Sequence, residues 1–428
     1  MEKLGKKFWL ALIIFSLCGQ IAWTIENMLF NVFIQEEFNA TLNDIALMVS
    51  LSAVVATITT LLIGALSDKI GKRKLFICVG YILWGISILG FAFLKLDTME
   101  KHASSLVAAA TLGVSLTILF DCIMTFFGSS ANDSCFNAWV TDISNNTNRG
   151  KIEGINSAMP LIAVLVVFGG NMLIEKNANH WTILFLAIGI FVLLVGILGF
   201  FLIKDMPLEK SDLPYFKNIF YGFKKQTFKE NKLLYIIFIG FAIFCTSVQI
   251  FMPYLIIYFT STLRLDNYVL IFAPAIVIAA AFTFFFGRII DKYGFFKTSL
   301  ITFAIYGLGL IVLTMFTNIV FVFIGTMLMM SGYLSLTACF NSEIRNNTPA
   351  DKVGFFQGIR IVMQVLIPML IGPWIGSLLS GTGGDGFLGI VGDGYTPARW
   401  IFLGAVILSL FILIFIFLFK KSTKKSAN

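Results

Sequence analysis

Apolar runs of about twenty residues, separated by short polar turns, recur from end to end of the chain, and no segment alternates polar and apolar positions as a barrel strand does. Twelve runs are long enough to cross about 30 Å of hydrocarbon as helices. They cover residues 8–33, 45–66, 75–94, 105–128, 155–174, 181–203, 233–260, 268–290, 298–317, 319–340, 355–379 and 400–419. A helix bonds its own backbone polar groups, so it needs no water along the way. The pattern therefore predicts an all-α integral membrane protein with twelve transmembrane helices. The fourth run continues as a polar helix towards Trp139, and little more than Asn318 separates runs nine and ten, which predicts a tight hairpin.

A polar, proline-containing stretch at 204–232 divides the runs six and six. The domains expected are a six-helix bundle over 1–203, a central linker over 204–232, and a second six-helix bundle with a basic tail over 233–428. Positive charge follows the same rhythm. Lys3, Lys6 and Lys7 precede the first run; Lys69, Lys72, Arg73 and Lys74 follow the second; seven lysines occupy the linker; Lys420, Lys421, Lys424 and Lys425 close the chain. The opposite turns hold only Lys95, Lys101, Lys176, Arg264 and Arg399. By the positive-inside rule both termini and the linker are predicted to be cytoplasmic, in a cell (inner or plasma) membrane.

Composition sharpens this picture. Hydrophobic residues make up 58% of the chain and charged ones 13%, with a mean hydropathy of +0.90. That much apolar surface needs lipid as solvent. The net charge of +8 is topogenic in its placement, so no nucleic-acid partner is expected. Six cysteines lie in or beside apolar runs, in neither disulfide nor zinc spacing. No cleavable signal is expected, because the first run is long and lacks a small-residue cleavage site. Phosphate loops, metal clusters and nucleophile triads are absent from the sequence, so no enzyme activity, cofactor or metal is expected.

One short pattern occurs twice, at equivalent places in the two halves. Gly64-Ala-Leu-Ser-Asp68-Lys69-Ile-Gly71-Lys72-Arg73-Lys74 and Gly287-Arg-Ile-Ile-Asp291-Lys292-Tyr-Gly294-Phe-Phe-Lys297 share Gly-x3-Asp-Lys-x-Gly-x2-Lys. A second echo pairs Cys135-Phe136-Asn137 with Cys339-Phe340-Asn341. The first copy resembles the loop between helices 2 and 3 of the major facilitator superfamily. That resemblance implies two pseudo-symmetric six-helix bundles related by an axis normal to the membrane, the major facilitator fold. It also implies that Asp68 is a gate residue, with Asp291 its counterpart, and it extends a gating role to Lys69, Gly71, Arg73, Lys292 and Gly294. Arg149 and Arg345 are candidate partners for Asp68. A purely topogenic turn is the alternative.

Three helices carry polar groups that lipid does not tolerate unpaired. Gln20, Trp23, Asn27 and Asn31 fall at three- to four-residue steps on the first, with Glu26 at the edge of that face. An indole beside amides suits a polyhydroxylated ligand, while interhelical bonding is the plainer role for the amides. On the fourth helix Asp121 stands in an apolar segment and must be protonated, paired or cation-bound; Glu26 and Asp121 are therefore the candidate cation-coupling residues. Asp133 and Asp142, nearer the cytoplasm, read as structural or gating groups. Gln357, Arg360 and Gln364 share a face of the eleventh helix. Arg360 is expected to bind substrate, to pair with Glu26 or Asp121, or to snorkel to the surface. Gln249 joins the substrate-binding candidates, and Thr246, Tyr333 and Thr337 are further polar positions.

The polar first helix, Asp121 and Arg360 resemble the glycoside–pentoside–hexuronide:cation symporters and the sucrose–proton carriers. This resemblance implies sugar or glycoside symport with a proton or another monovalent cation. Melibiose-permease-like members carry paired aspartates on helix 2; residues 45–66 have none, which shifts weight to protons. Two alternatives stay open: a multidrug:proton antiporter, and a non-transporting membrane sensor. Function as a monomer is expected.

Overall fold

The computed structural model describes residues 5–144, 148–205, 224–265, 267–348, 353–381 and 393–427. Among them, twelve helices are long and apolar enough to cross a membrane. In the first half these are α1 (Lys6–Phe38), α2 (Leu42–Ile70), α3 (Arg73–Phe91), α4 (Leu106–Ile143), α5 (Gly154–Ile174) and α6 (His180–Leu202). In the second half they are α7 (Lys232–Thr262), α8 (Val269–Ile290), α9 (Lys292–Met315), α10 (Ile319–Asn347), α11 (Gly358–Ser380) and α12 (Trp400–Thr423). Each overlaps the apolar run that predicts it. The polar extension of α4 is helical to Ile143. Only residues 316–318 separate α9 from α10, where the Asn318 side chain caps α10 by accepting the Val320 N–H at 3.0 Å.

The chain divides into two compact units, Met1–Ala40 with Leu51–Tyr215 and Thr41–Ser50 with Phe216–Asn428. In the first, α3 packs along α6 and α4, while α1 packs on α5 and α6. Small residues let these backbones close up: a Cβ on Gly196 of α6 would lie 2.7 Å from the Ile82 nitrogen of α3. Aromatic rings fill the space at one end, with Phe30 and Phe91 centroids 4.4 Å apart and Phe185 against both.

In the second unit, residues 269–315 pack on α10 and α12, and α7 packs on α11 and α12. The Gly-Pro-Trp-Ile-Gly stretch of α11 serves close packing, since a Cβ on Gly372 would lie 2.5 Å from that of Gln249 on α7. Residues 41–50, the start of α2, belong to this unit. Trp374 Nε1 donates to Ser50 Oγ at 3.0 Å, and Ser377 Oγ to Asn43 Oδ1 at 2.7 Å.

Among the described residues, four stretches inside spanning helices are π turns: Ile25–Leu29, Ser129–Phe136, Tyr258–Thr262 and Val362–Leu366. A π turn adds a residue and turns later side chains by about 100° relative to an unbroken α-helix. Two of the four lie where the first unit's carboxylates meet.

Candidate functional site

The π turn of α1 aims Glu26 inward. Its residue is 8% exposed, and Oε1 accepts hydrogen bonds from Ser52 Oγ of α2 at 2.8 Å and Thr125 Oγ1 of α4 at 3.0 Å. Those two hydroxyls are 2.8 Å apart, closing a small ring. Asp121, 1% exposed and one turn before Thr125, adjoins Glu26 and also faces Ser52. Glu26 Oε2 and Asp121 Oδ1 are buried with no hydrogen-bond partner among the described residues. The ion pairs of the described residues lie elsewhere. Two adjoining carboxyls in a spanning bundle, with hydroxyls but no basic group as partners, need a proton or cation to neutralise them.

The α1 face differs from the one expected from 3.6-residue spacing. Glu26, placed at its edge by sequence, is the buried residue that reaches two neighbouring helices. Asn27 and Asn31 donate instead to backbone carbonyls one turn earlier, Trp23 O at 2.7 Å and Asn27 O at 3.1 Å. Asn27 is exposed, Asn31 buried, and Gln20 partly buried. Trp23 bridges to α4, its Nε1 donating to Asp133 Oδ1 at 3.1 Å. Asn132 Nδ2 donates to the same oxygen at 3.0 Å, and Ser129 Oγ to Oδ2 at 3.2 Å. Tyr81 steadies Asn132 with a 2.8 Å bond to its Oδ1. Asp133, read from sequence as a structural or gating group, thus meets the side chain of a substrate candidate.

Behind Trp23 lies Trp84, with ring centroids 5.0 Å apart. Gly128 makes room for both: a Cβ there would lie 2.7 Å from Trp84 Cε2 and 2.9 Å from Trp23 Cη2. Gly128→Ala is accordingly expected to cost about 1–3 kcal/mol by overpacking. The variant's thermal midpoint, followed by tryptophan fluorescence, should fall; an unchanged midpoint and spectrum would count against this packing. Ser52 and Trp84 are not among the sequence candidates. Ser52 had one legible sign, a hydroxyl in an apolar run, whereas Trp84 had none.

At the turn between α2 and α3, Gly71 takes φ +71°, a left-handed conformation that a side chain would strain, and Gly294 takes φ +74° at a non-helical break in the first turn of α9, the matching place in the second half. Arg73, 7% exposed, is ion-paired with Asp68 at 2.7 Å and with Asp142 of α4, and donates from NH1 to Ser67 Oγ at 3.0 Å. The partner of Asp68 therefore comes from its own turn. The Arg149 side chain lies outside the described residues, as does that of Asp291, and Arg345 is exposed. Lys69 and Lys292 are exposed too, the latter with Nζ 5.4 Å from the Tyr293 ring centroid.

In the second unit, Arg360 donates from Nε to Gln364 Oε1 at 2.8 Å and from NH2 to Asn341 Oδ1 at 3.1 Å; Gln364 Nε2 donates to that oxygen at 3.2 Å. Arg360 is thus engaged by amides of α10 and α11. Gln357 has its side chain outside the described residues. Gln249 is partly buried against Gly372. Thr246 and Thr337 donate to carbonyls one turn earlier, Ala242 O and Tyr333 O, both at 2.7 Å.

Twelve described helices long and apolar enough to cross a membrane define a multi-pass membrane protein. The chain belongs to the Major Facilitator Superfamily, whose sequence signature matches residues 12–366, and is a transporter of that class. A comparison with curated protein sequences gives no match. Solved structures of similar fold include a mutant of the nucleoside transporter NupG, with a TM-score of 0.70 at 13% identity over 96% of this chain and 98% of that one. A bacterial homologue of the human lysosomal transporter Spinster, inward-facing and unoccupied, gives 0.70 at 14% over 99% of each chain. The xylose transporter XylE from E. coli, partially occluded and inward open, gives 0.65 at 16% over 95% and 98%. Identities this low show the fold alone.

Proposed function

We propose that the protein is a secondary transporter working by alternating access, which brings a sugar or glycoside into the cell together with a proton. The observation that carries this reading is the Glu26–Asp121 pair: buried, adjoining, held by Ser52 and Thr125, and without a basic partner among the described residues. Such a pair has to hold a proton or cation while it is buried, and a site that takes up and gives back that charge suits a coupling role. Trp23, partly exposed beside the Asp133 acceptor, offers a stacking surface next to hydrogen-bonding oxygen. Gln20, Asn27, Asn31, Gln249, Arg360 and Gln364 complete the proposed substrate set. Asp68, Lys69, Gly71, Arg73, Arg149, Asp291, Lys292 and Gly294 are the proposed gating groups, in a cell-membrane protein with cytoplasmic termini that acts as a monomer.

The neighbouring structures do not choose the cargo, since their names include a nucleoside, xylose and iron. Uptake of labelled mono- and disaccharides into proteoliposomes tests the proposal. An inward-directed pH gradient should accelerate uptake of one or more of them, and a protonophore should abolish the acceleration. Uptake indifferent to the gradient would reject proton coupling. Exchange of an organic cation for protons is the second reading, favoured by the Trp23 indole, which packs on Trp84 and is bonded to the Asp133 carboxyl.

A further inference from the structure

On α4, Asp121, Thr125 and Ser129 follow one another at four-residue steps on one face, and the Ser129–Asp133 hydrogen bond carries the row into the π turn, so two hydroxyls stand between two carboxyls. Both ends of the ladder are engaged. Thr125 Oγ1 donates to Glu26 Oε1 at 3.0 Å, beside Asp121, and Ser129 Oγ donates to Asp133 Oδ2 at 3.2 Å. The ends also differ in access: Glu26 and Asp121 are buried, Asp133 is only partly so. The π turn that opens at Ser129 sets Asp133 against Trp23 of α1, and Asn132 and Tyr81 hold it there.

We propose that Thr125 and Ser129 relay the proton between the buried Glu26–Asp121 pair and Asp133, which is the point where the proton enters and leaves. This rests on the proton-coupled reading above and adds three residues to it. Hydroxyls suit the task because each both donates and accepts a hydrogen bond. Thr125 and Ser129 are one turn apart, about 5–6 Å between Cβ atoms, so the relay requires one water molecule between them. In a single transfer an O–H bond at Glu26 breaks and one at Asp133 forms, while each hydroxyl and the water takes one proton and gives one up. Net charge moves from one carboxyl to the other with no further reactant. Glu26 Oε2 and Asp121 Oδ1, buried without partners, leave the inner end able to hold the proton. Because Trp23 donates to Asp133, a solute stacked on its ring acts directly on the outer end of the relay.

The test needs no solute. Infrared spectra of the purified protein in lipid, followed after a pH jump, report the carboxylic C=O band that Glu26→Gln removes. In Ser129→Ala the band should relax at least tenfold more slowly than in the wild type, and in Ser129→Thr, which restores the hydroxyl, near the original rate. Asp133→Asn should be slow as well. Unchanged relaxation in Ser129→Ala and Asp133→Asn would overturn the relay. Slow relaxation in Ser129→Ala that Ser129→Thr fails to recover would overturn it too, as a packing defect, and so would the absence of any band removed by Glu26→Gln. Saccharides play no part in this readout. A hydroxyl-dependent rate in a protein that moves none of them would therefore keep the relay and reject the cargo.

Discussion

Replacing Glu26 by Gln is expected to lower proton-driven accumulation by about 100-fold, the scale on which removing a proton-transfer group acts. Gln matches Glu in shape and keeps an acceptor for Ser52 and Thr125. What it removes is the ability to change charge beside Asp121. The fold should not suffer: the substitution takes away one of two adjoining buried carboxyls, so the thermal midpoint should stay level or rise. Accumulation in proteoliposomes and the midpoint of the same preparation check the two halves of this expectation. A variant that accumulates solute normally would show that Glu26 is a structural polar group. A variant that loses transport because it unfolds would show that the carboxylate anchors the helices.

Arg73→Ala has the second large expected effect, on stability. Arg73 is buried and joins α2, through Asp68 and Ser67, to α4, through Asp142. Its removal leaves two partly solvated carboxylates without their charge-assisted bonds, at a cost on the order of 1–3 kcal/mol. The thermal midpoint should drop by several degrees. Adding Asp142→Asn to Arg73→Ala should recover part of the loss, because one stranded charge goes with it, and such non-additivity marks a direct pair. Strictly additive losses would show that the three side chains do not act together.

Hydrophobic patterning carried the fold because lipid imposes one rule on every span: about twenty apolar residues with backbone bonds made inside the helix. All twelve spans and the Asn318 hairpin follow from it, while the polar extension of α4 is read from its continuity with the fourth run. The duplicated Asp-Lys-x-Gly turn was visible because a left-handed glycine is a local need, met by Gly71 and Gly294 in their own loops. The site was legible only in part. Glu26, Asp121 and Trp23 stood out as polar or amphipathic groups in apolar helices, and the structure brings Glu26 and Asp121 together. Their partners were hidden for physical reasons. A helical wheel assumes constant pitch, and the π turns at 25–29 and 129–136 break that assumption at the candidate residues. Ser52 is a small hydroxyl whose value depends on what it faces, and Trp84 looks like any lipid-compatible aromatic. Asp68 was matched in sequence with arginines of other loops, whereas the buried Arg73 five residues on is its partner.

The proposed coupling of solute to proton rests on the buried Glu26–Asp121 carboxyl pair. Its most direct test is proton movement in proteoliposomes carrying a trapped pH-sensitive dye, with a saccharide panel added outside to wild type and to Glu26→Gln. Lumenal acidification that follows sugar addition in the wild type and is missing in Glu26→Gln is the predicted result. Silence across the saccharides, with proton release from the lumen driven by an organic cation, would contradict symport and assign the same carboxyls to an antiporter.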